Sequence, residues 1–134
     1  MIIFIFSTGV FILDQVIKFL FFKFWPYYTK LGTNSLLGGN KGAIIFSLFF
    51  IILLFGLFLR DRKIIVKNFW PSLGIGFCFG GAVSNLLDRI LRKGVLDISF
   101  FFLNTNLADI LVFLGLIILL IFYFSRKDIE SHIG

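Results

Sequence analysis

The sequence predicts an all-α integral membrane protein with four transmembrane helices and a small extramembrane β-like element between the first two. Three observations support this class. Of the 134 residues, 59% are hydrophobic and only 15% are charged. Four long apolar segments occur, and the longest polar stretch separates the first two of them. A soluble domain of this size cannot bury so much apolar surface, so lipid must surround much of the chain.

Each apolar segment is long enough for a transmembrane helix, or nearly so. About 20 residues, each rising 1.5 Å along the helix, cross the hydrocarbon core of a bilayer. The first segment has no basic n-region and carries Asp14 and Lys18, so we expect it to be retained as a span and not removed as a signal peptide. The sequence therefore predicts one four-span domain over residues 1–134, with spans at about 2–24, 43–59, 69–87 and 107–124.

The connections between the spans differ in character. Residues 25–42 contain several glycines as turn signals, and Tyr27-Tyr28-Thr29 is typical of the start of a strand, so the β-like element is expected there. Residues 60–68 are predicted to form a short basic loop, in which the side chain of Asp61 is expected to be a solvated charge. The polar residues from Ser125 onward read as a frayed tail.

Small residues recur on the third span. Gly76, Gly80 and Ser84 are spaced four residues apart, with Gly74 and Gly81 beside them. Such a stripe lets another helix approach closely, so packing is a sufficient explanation for it.

The formal net charge of +6 indicates contact with anionic phospholipid headgroups. No basic segment has the length or the aromatic interleaving of a nucleic-acid groove, so no nucleic acid is expected as a partner. Separately, the chain is expected to be a monomer. The basic residues are divided almost equally between the two sides of a four-span topology. The compact basic loop at residues 60–68 mildly favours cytoplasmic termini.

Two groups of carboxylates have basic neighbours in sequence. Asp14 and Lys18 lie one turn apart and can neutralise each other, either as a structural pair or as a contact for a headgroup. Asp88 has Arg89 and Arg92 nearby, which indicates an ion pair at the end of a helix.

Asp97 and Asp109 stand apart from these groups. They lie at the two ends of one short segment, whose apolar residues Phe100 to Leu103 are expected to hold it against the bilayer and bring the carboxyl groups together. Two adjacent carboxylates share a proton near neutral pH, so one activates water while the other acts as an acid, as in aspartic proteases. Asn106 lies on the helix face of Asp109 and is expected to hold a substrate amide. Capping of a turn or helix, or a proton relay, would also explain the two aspartates.

The remaining residues limit other kinds of chemistry. The only histidine is His132, the only cysteine is Cys78, and no zinc-peptidase, phosphate-loop or nucleophile-elbow motif occurs. No metal and no cofactor are therefore expected, and an enzyme with this sequence would rely on aspartates and water.

Five short motifs, taken in order, resemble those of the lipoprotein signal peptidases (signal peptidase II), which are bacterial four-span aspartic proteases. The third has Ser84 where the family usually has Gly, and the segment from Asp97 to Asp109 is shorter than usual. The motifs resemble DQxxK, NxGA, GGAxGNxxDR, VVD and FNxAD, and they stand at residues 14–18, 40–43, 80–89, 95–97 and 106–109.

This resemblance implies removal of the signal peptide from diacylglyceryl-modified prolipoproteins, with cleavage before the lipidated cysteine, at the outer side of the bacterial cytoplasmic (inner) membrane. It implies that Asp97 and Asp109 are catalytic. The matching substrate-site positions are Asn40, Asn85, Arg89 and Asn106, with Asp14 and Lys18 close by. Two other classes of protein remain open: a small proton-coupled membrane transporter or channel subunit that uses the aspartates as a relay, and a non-catalytic assembly subunit.

Overall fold

The computed structural model describes residues 1–32, 38–100 and 103–134, and it consists mostly of four long helices. A 3-10 turn at Pro26–Tyr28 follows the first helix. The elements in chain order are α1 (Ile2–Phe24), β1 (Thr29–Gly32), α2 (Gly39–Lys67), α3 (Phe69–Arg92), β2 (Val95–Phe100), β3 (Leu103–Thr105) and α4 (Leu107–Ile133).

Helix α3 is the centre of the bundle and packs against α1, α2 and α4. Gly76 lies beside Phe6 of α1, and Ser84 bonds to Asp14 further along α1, so α1 and α3 are parallel. Helix α4 runs in the opposite direction, because Gly74 faces Leu119 whereas Gly81 faces the start of α4. Helix α2 is also antiparallel to α3, because its first turn lies beside the end of α3.

The glycines of α3 allow these close approaches. A β carbon at Gly76 would lie 2.6 Å from Cβ of Phe6, and one at Gly81 would lie 2.6 Å from Cγ2 of Val112. Two faces of α3 therefore accept α1 and α4 at distances that only glycine permits. The packing interpretation of the small-residue stripe is confirmed.

A small antiparallel sheet with the strand order β1-β2-β3 lies at one end of the bundle. Lys30 of β1 pairs with Asp97 of β2, and Ile98 of β2 pairs with Thr105 of β3. The expected β element between α1 and α2 is confirmed as β1. Strands β2 and β3 replace the apolar loop that was expected between Asp97 and Asp109. Phe101 and Phe102, which were expected to hold that loop against the bilayer, lie outside the described residues.

Within the described ranges, three helices, α1, α2 and α4, are long and apolar enough to cross a membrane, which confirms the membrane class of the fold. Helix α3 has 24 residues but includes several glycines and buried polar side chains, which make it less apolar. The count of four spans therefore stays a prediction.

The ends of two helices differ from expectation. Residues 60–67 belong to α2, which has a single non-helical residue at Asp61 (φ −111°, ψ 19°), so the predicted basic loop is wrong. The frayed tail is also wrong, because α4 continues to Ile133 and carries an ion pair between Arg126 and Glu130 one turn apart.

Asp61 is not the solvated charge that was expected. Its side chain is only 16% exposed, and the Tyr123 hydroxyl donates a 2.6 Å hydrogen bond to Oδ2. Arg60 donates to the same oxygen. The carboxylate therefore joins the end of α2 to α4.

Candidate active site

A buried ion network begins on α1. Lys18 Nζ lies 2.5 Å from Oδ2 of Asp14 and 2.6 Å from Oδ2 of Asp88, and all three side chains are fully buried. The pairing of Asp14 with Lys18 occurs as the spacing predicted. Contact of this pair with a lipid headgroup, the alternative left open, is excluded by its burial inside the protein.

Asp88 is the acidic centre of the network. It forms an ion pair with Arg92 as well as with Lys18. The expected pairing with Arg92 is correct, but Arg89 is not among the described partners of Asp88. Gln15, which entered the sequence-based interpretation only as part of the DQxxK motif, donates 2.9 Å to Asp88 Oδ1 and 2.8 Å to the Ser84 hydroxyl oxygen. Its position three residues before Lys18, on the same helix face, was the available signal.

Two connections link this network to Asp109 on α4. Asn85 accepts a 3.2 Å hydrogen bond from Lys18 and donates a 2.7 Å bond to Asp109 Oδ1. Separately, the backbone N–H of Ala108 donates 2.8 Å to Asp14 Oδ1. Because the first N–H groups of a helix have no partner within it, Asp14 serves as a cap for α4 from another helix.

Asp97 and Asp109 come together through one side chain. Asn106 Nδ2 donates to Asp97 Oδ1 at 2.8 Å and to Asp109 Oδ2 at 3.1 Å. Asn106 Oδ1 accepts the backbone N–H of Asp109 at 2.8 Å, which makes Asn106 the N-cap of α4. The two carboxylates are therefore held within a few ångströms of each other.

The local positions of these aspartates differ. Asp97 lies within β2, so it does not cap a turn, whereas Asp109 does lie in the first turn of α4. Burial raises the pKa of Asp97 above the usual range of a carboxyl group. This pKa is lowered in turn by the hydrogen bond from Asn106 and by the positive charges of Lys18 and Arg89. These effects do not cancel the rise that burial causes.

A cavity of about 360 Å³ opens between α2, α3 and α4 beside Asp109. Its polar lining includes Asn85, Arg89 and Asp109, and most of its other lining residues are apolar. Asn40 Nδ2 donates 3.0 Å to the backbone oxygen of Arg89. Among the described residues, no acceptor reaches the buried Nε and Nη1 of Arg89, and no donor reaches Oδ1 of Asn40. Unpaired buried polar groups are unfavourable, so these atoms are suited to a polar ligand.

A metal site is not present in the described part of the chain, where no three His, Cys, Asp or Glu side chains are grouped to hold an ion. The cations that neutralise the buried carboxylates are instead Lys18 and Arg92.

The fold and site define a multi-pass membrane protein with two adjacent carboxyl groups at one end of a helical bundle, one of which lines a largely apolar cavity. A family model described as signal peptidase (SPase) II matches residues 6–125. The chain therefore belongs to the signal peptidase II family and is a peptidase by that membership.

Similar proteins cover nearly the whole chain. A lipoprotein signal peptidase from Sulfurimonas denitrificans is 30% identical over 140 residues, covering 93% of this chain and 89% of the relative. A lipoprotein signal peptidase from Helicobacter acinonychis is 32% identical over 140 residues, covering 90% of this chain and 88% of the relative. Two solved structures, described as bacterial membrane enzymes studied by the in meso method, share the fold. The first has a TM-score of 0.73 at 21% sequence identity, and the match covers 93% of this chain and 88% of that structure's chain. The second has a TM-score of 0.67 at 24% sequence identity, and the match covers 89% of this chain and 90% of that structure's chain.

Proposed function

We propose that this chain is an aspartic endopeptidase that removes the signal peptide from diacylglyceryl-modified prolipoproteins, with Asp97 and Asp109 as the catalytic pair. The relatives that span most of the chain support the substrate class. The observation that carries the aspartic mechanism is the bridge formed by Asn106 Nδ2 between the two carboxyl groups, at the edge of a cavity.

The hydrogen bonds suggest different roles for the two aspartates. Both oxygens of Asp109 accept amide N–H groups, one from Asn85 and one from Asn106, as suits an ionised carboxylate. We assign Asp109 as the base that takes a proton from water. Asp97, of which only Oδ1 accepts a described hydrogen bond, is assigned as the acid that carries the shared proton on Oδ2.

The reaction then follows from these assignments. The water oxygen attacks the peptide carbonyl carbon while Asp109 takes the water proton and Asp97 gives its proton to the carbonyl oxygen. The carbon–nitrogen bond of the resulting tetrahedral intermediate then breaks. Asp109 returns its proton to the leaving nitrogen, and Asp97 recovers its proton from the hydroxyl group as the carbonyl reforms.

The substrate is held by groups around the cavity. The free Nε and Nη1 of Arg89 donate to carbonyl oxygens of the substrate, and the free Oδ1 of Asn40 accepts an amide N–H. The apolar walls take an acyl chain of the lipidated cysteine. The side-chain amide of Asn106 donates to both aspartates, so Asn106 positions the pair. Lys18 holds Asn85 through a hydrogen bond, and Asp14 holds the start of α4 by accepting the backbone N–H of Ala108.

The proposed topology has four spans, with α3 as the third. Its 24 residues run antiparallel to α2 and α4, which are long and apolar enough to cross a bilayer. We place the protein in the bacterial cytoplasmic membrane as a monomer among phospholipids. The carboxyl pair faces the outer side and the termini face the cytoplasm.

The test is to incubate the purified protein with a diacylglyceryl-modified prolipoprotein and to measure the shortened product. Asp97→Asn and Asp109→Asn each remove a titratable group while keeping its size. We expect each to lower the rate by at least about 10²–10⁴-fold in a folded protein. Asp128→Asn, at an exposed position on α4, is the matched control and should be fully active.

Two further measurements sharpen this test. EDTA should leave cleavage unchanged, because the proposed reaction uses no metal. Asp88→Asn should act mainly on stability, since it leaves Arg92 without a counter-charge and Lys18 with Asp14 alone. An inactive but stable Asp88→Asn together with an active Asp97→Asn would make Asp88 the partner of Asp109 and overturn the assignment.

A further inference from the structure

Gly32, the last residue of β1, occupies a position whose backbone does not require glycine. Its φ lies outside the left-handed region, unlike those of Gly38 and Gly39. Glycine in a strand is less favourable than alanine, because it loses more backbone freedom on folding. It often marks a place where another group approaches closely.

The group that approaches Gly32 is the carboxyl group of Asp97. A β carbon built on Gly32 would lie 2.8 Å from Asp97 Oδ2, which is too close for any real contact. The next neighbours, the backbone oxygen of Val95 at 3.6 Å and Asp97 Cγ at 3.8 Å, are at ordinary contact distances. Among the residues that the structure describes, the obstacle to a β carbon at position 32 is therefore one oxygen of Asp97.

That oxygen is distinct from the one that Asn106 holds. Asn106 Nδ2 donates to Oδ1 of Asp97, whereas Oδ2 accepts no described hydrogen bond and is the oxygen to which the proposed mechanism gives the shared proton. The pairing of Lys30 with Asp97 and of Gly32 with Val95 places Gly32 diagonally across from Asp97 on the same face of the sheet.

We propose that Gly32 is a positioning residue for the catalytic pair, because its missing side chain provides the space in which Asp97 Oδ2 stands. This inference rests on the proposed aspartic mechanism. A β carbon at position 32 turns the Asp97 side chain, because the end of a side chain moves more easily than the backbone of a strand. Such a turn removes Oδ2 from its position and weakens the hydrogen bond from Asn106 to Oδ1.

The first test is the kinetics of Gly32→Ala with a diacylglyceryl-modified prolipoprotein. A displacement of about 1 Å can cost about 10²-fold in rate, so we expect kcat to fall by about that factor. KM should change by less than about twofold, because the groups proposed to bind substrate lie on α2 and α3. The matched control is Gly9→Ala, where an added β carbon would meet nothing within 4 Å and both constants should stay unchanged.

The second test is a thermal-unfolding cycle that needs no activity. Gly32→Ala should lower Tm in the wild-type background, because the β carbon and Asp97 Oδ2 compete for one space. The same change in an Asp97→Ala background should leave Tm unchanged or raise it, because the oxygen is gone. A purely structural role for Gly32 predicts an equal loss of Tm in both backgrounds, which would overturn the inference.

The outcomes separate this inference from the proposed function. If Gly32→Ala keeps the wild-type kcat while Asp97→Asn is inactive, the positioning role is wrong and the aspartic mechanism stands. If Asp97→Asn remains active, the aspartic mechanism fails, and the kinetic role of Gly32 fails with it. A loss of kcat at constant KM, together with a loss of Tm that depends on Asp97, supports the inference.

Discussion

At the scale of single residues, Asn106 performs two tasks that are separable by mutation. Its Oδ1 caps α4, and its Nδ2 joins the two carboxyl groups. Serine retains a cap acceptor but lacks the amide donor, whereas alanine has neither. The two tasks can therefore be measured one at a time at a single position.

Asn106→Ala should lower the free energy of unfolding by about 1 kcal/mol relative to Asn106→Ser, because only alanine loses the cap. Both variants should lose turnover, because both lose the bridge between Asp97 and Asp109. Unfolding by heat and cleavage assays measure the two effects. Full turnover by Asn106→Ser would show that the bridge is not needed.

The raised pKa of Asp97 gives stability a pH dependence. The folded state holds this proton more tightly than the unfolded state does, because burial raises the pKa above its ordinary value. The stabilising contribution is therefore fully present below the ordinary carboxyl pKa and is lost as pH rises through the folded-state value. Asp97→Asn removes this term, so Tm of the variant minus Tm of the wild type should increase between about pH 4 and pH 7. A difference that decreases over this range would contradict the raised pKa.

At the scale of elements, α2 and α4 are joined at the end of the bundle remote from Asp97 and Asp109. The Tyr123 hydroxyl donates 2.6 Å to Asp61, which is the non-helical residue of α2. A hydrogen bond to a charged group contributes about 1.5–3 kcal/mol, so Tyr123→Phe should lower the free energy of unfolding by about that amount. Cleavage by the folded variant should be unchanged. Tyr27→Phe, at a side chain that is 96% exposed, is the control and should leave both measurements unchanged.

The contact between α1 and α3 depends on glycine. Gly76→Ala brings a β carbon to 2.6 Å from Phe6, so α1 must move away, and we expect a loss of about 1–3 kcal/mol of stability. Gly56→Ala adds the same methyl group where nothing lies within 4 Å. It should be neutral or stabilising, because alanine favours helix. Equal effects of the two substitutions on Tm would contradict this account of the packing.

At the scale of the whole molecule, the polar groups lie at two ends of the bundle. The ion network and the carboxyl pair are at one end, Asp61 and Tyr123 are at the other, and the apolar cluster that includes Leu54 and Ile75 lies in the helical core. A proton relay needs polar steps through the membrane, so this distribution favours chemistry at one surface over transport.

The crossing of the membrane by α3 can be tested from its two flanks. Lys67→Cys and Lys93→Cys place a thiol before and after this helix, and the native Cys78 is fully buried. In intact cells, a membrane-impermeant maleimide should label Lys93→Cys but not Lys67→Cys, because a fourth span puts these positions on opposite sides. Both should react after solubilisation in detergent. Labelling of both variants in intact cells would show that α3 does not cross.

The sequence alone determined the features that depend on local spacing. Apolar length defined the long helices, and one-turn spacing gave the pairs Asp14–Lys18 and Asp88–Arg92. The small-residue stripe of α3 predicted close packing, because every fourth residue of a helix lies on one face. The ordered motifs predicted the family, which the family model matches over residues 6–125.

Only the tertiary structure decided which of these residues meet. The contacts of Lys18 with Asp88, of Asn85 with Asp109 and of Gly32 with Asp97 join residues that are far apart in the chain. Spacing along a sequence does not contain helix packing or strand register, so no local pattern predicts these contacts. The true ends of α2 and α4 were also missed, because the bond between Tyr123 and Asp61 forms only once the two helices have packed. Burial inside the folded bundle, and not composition, then turns isolated charges into one connected site.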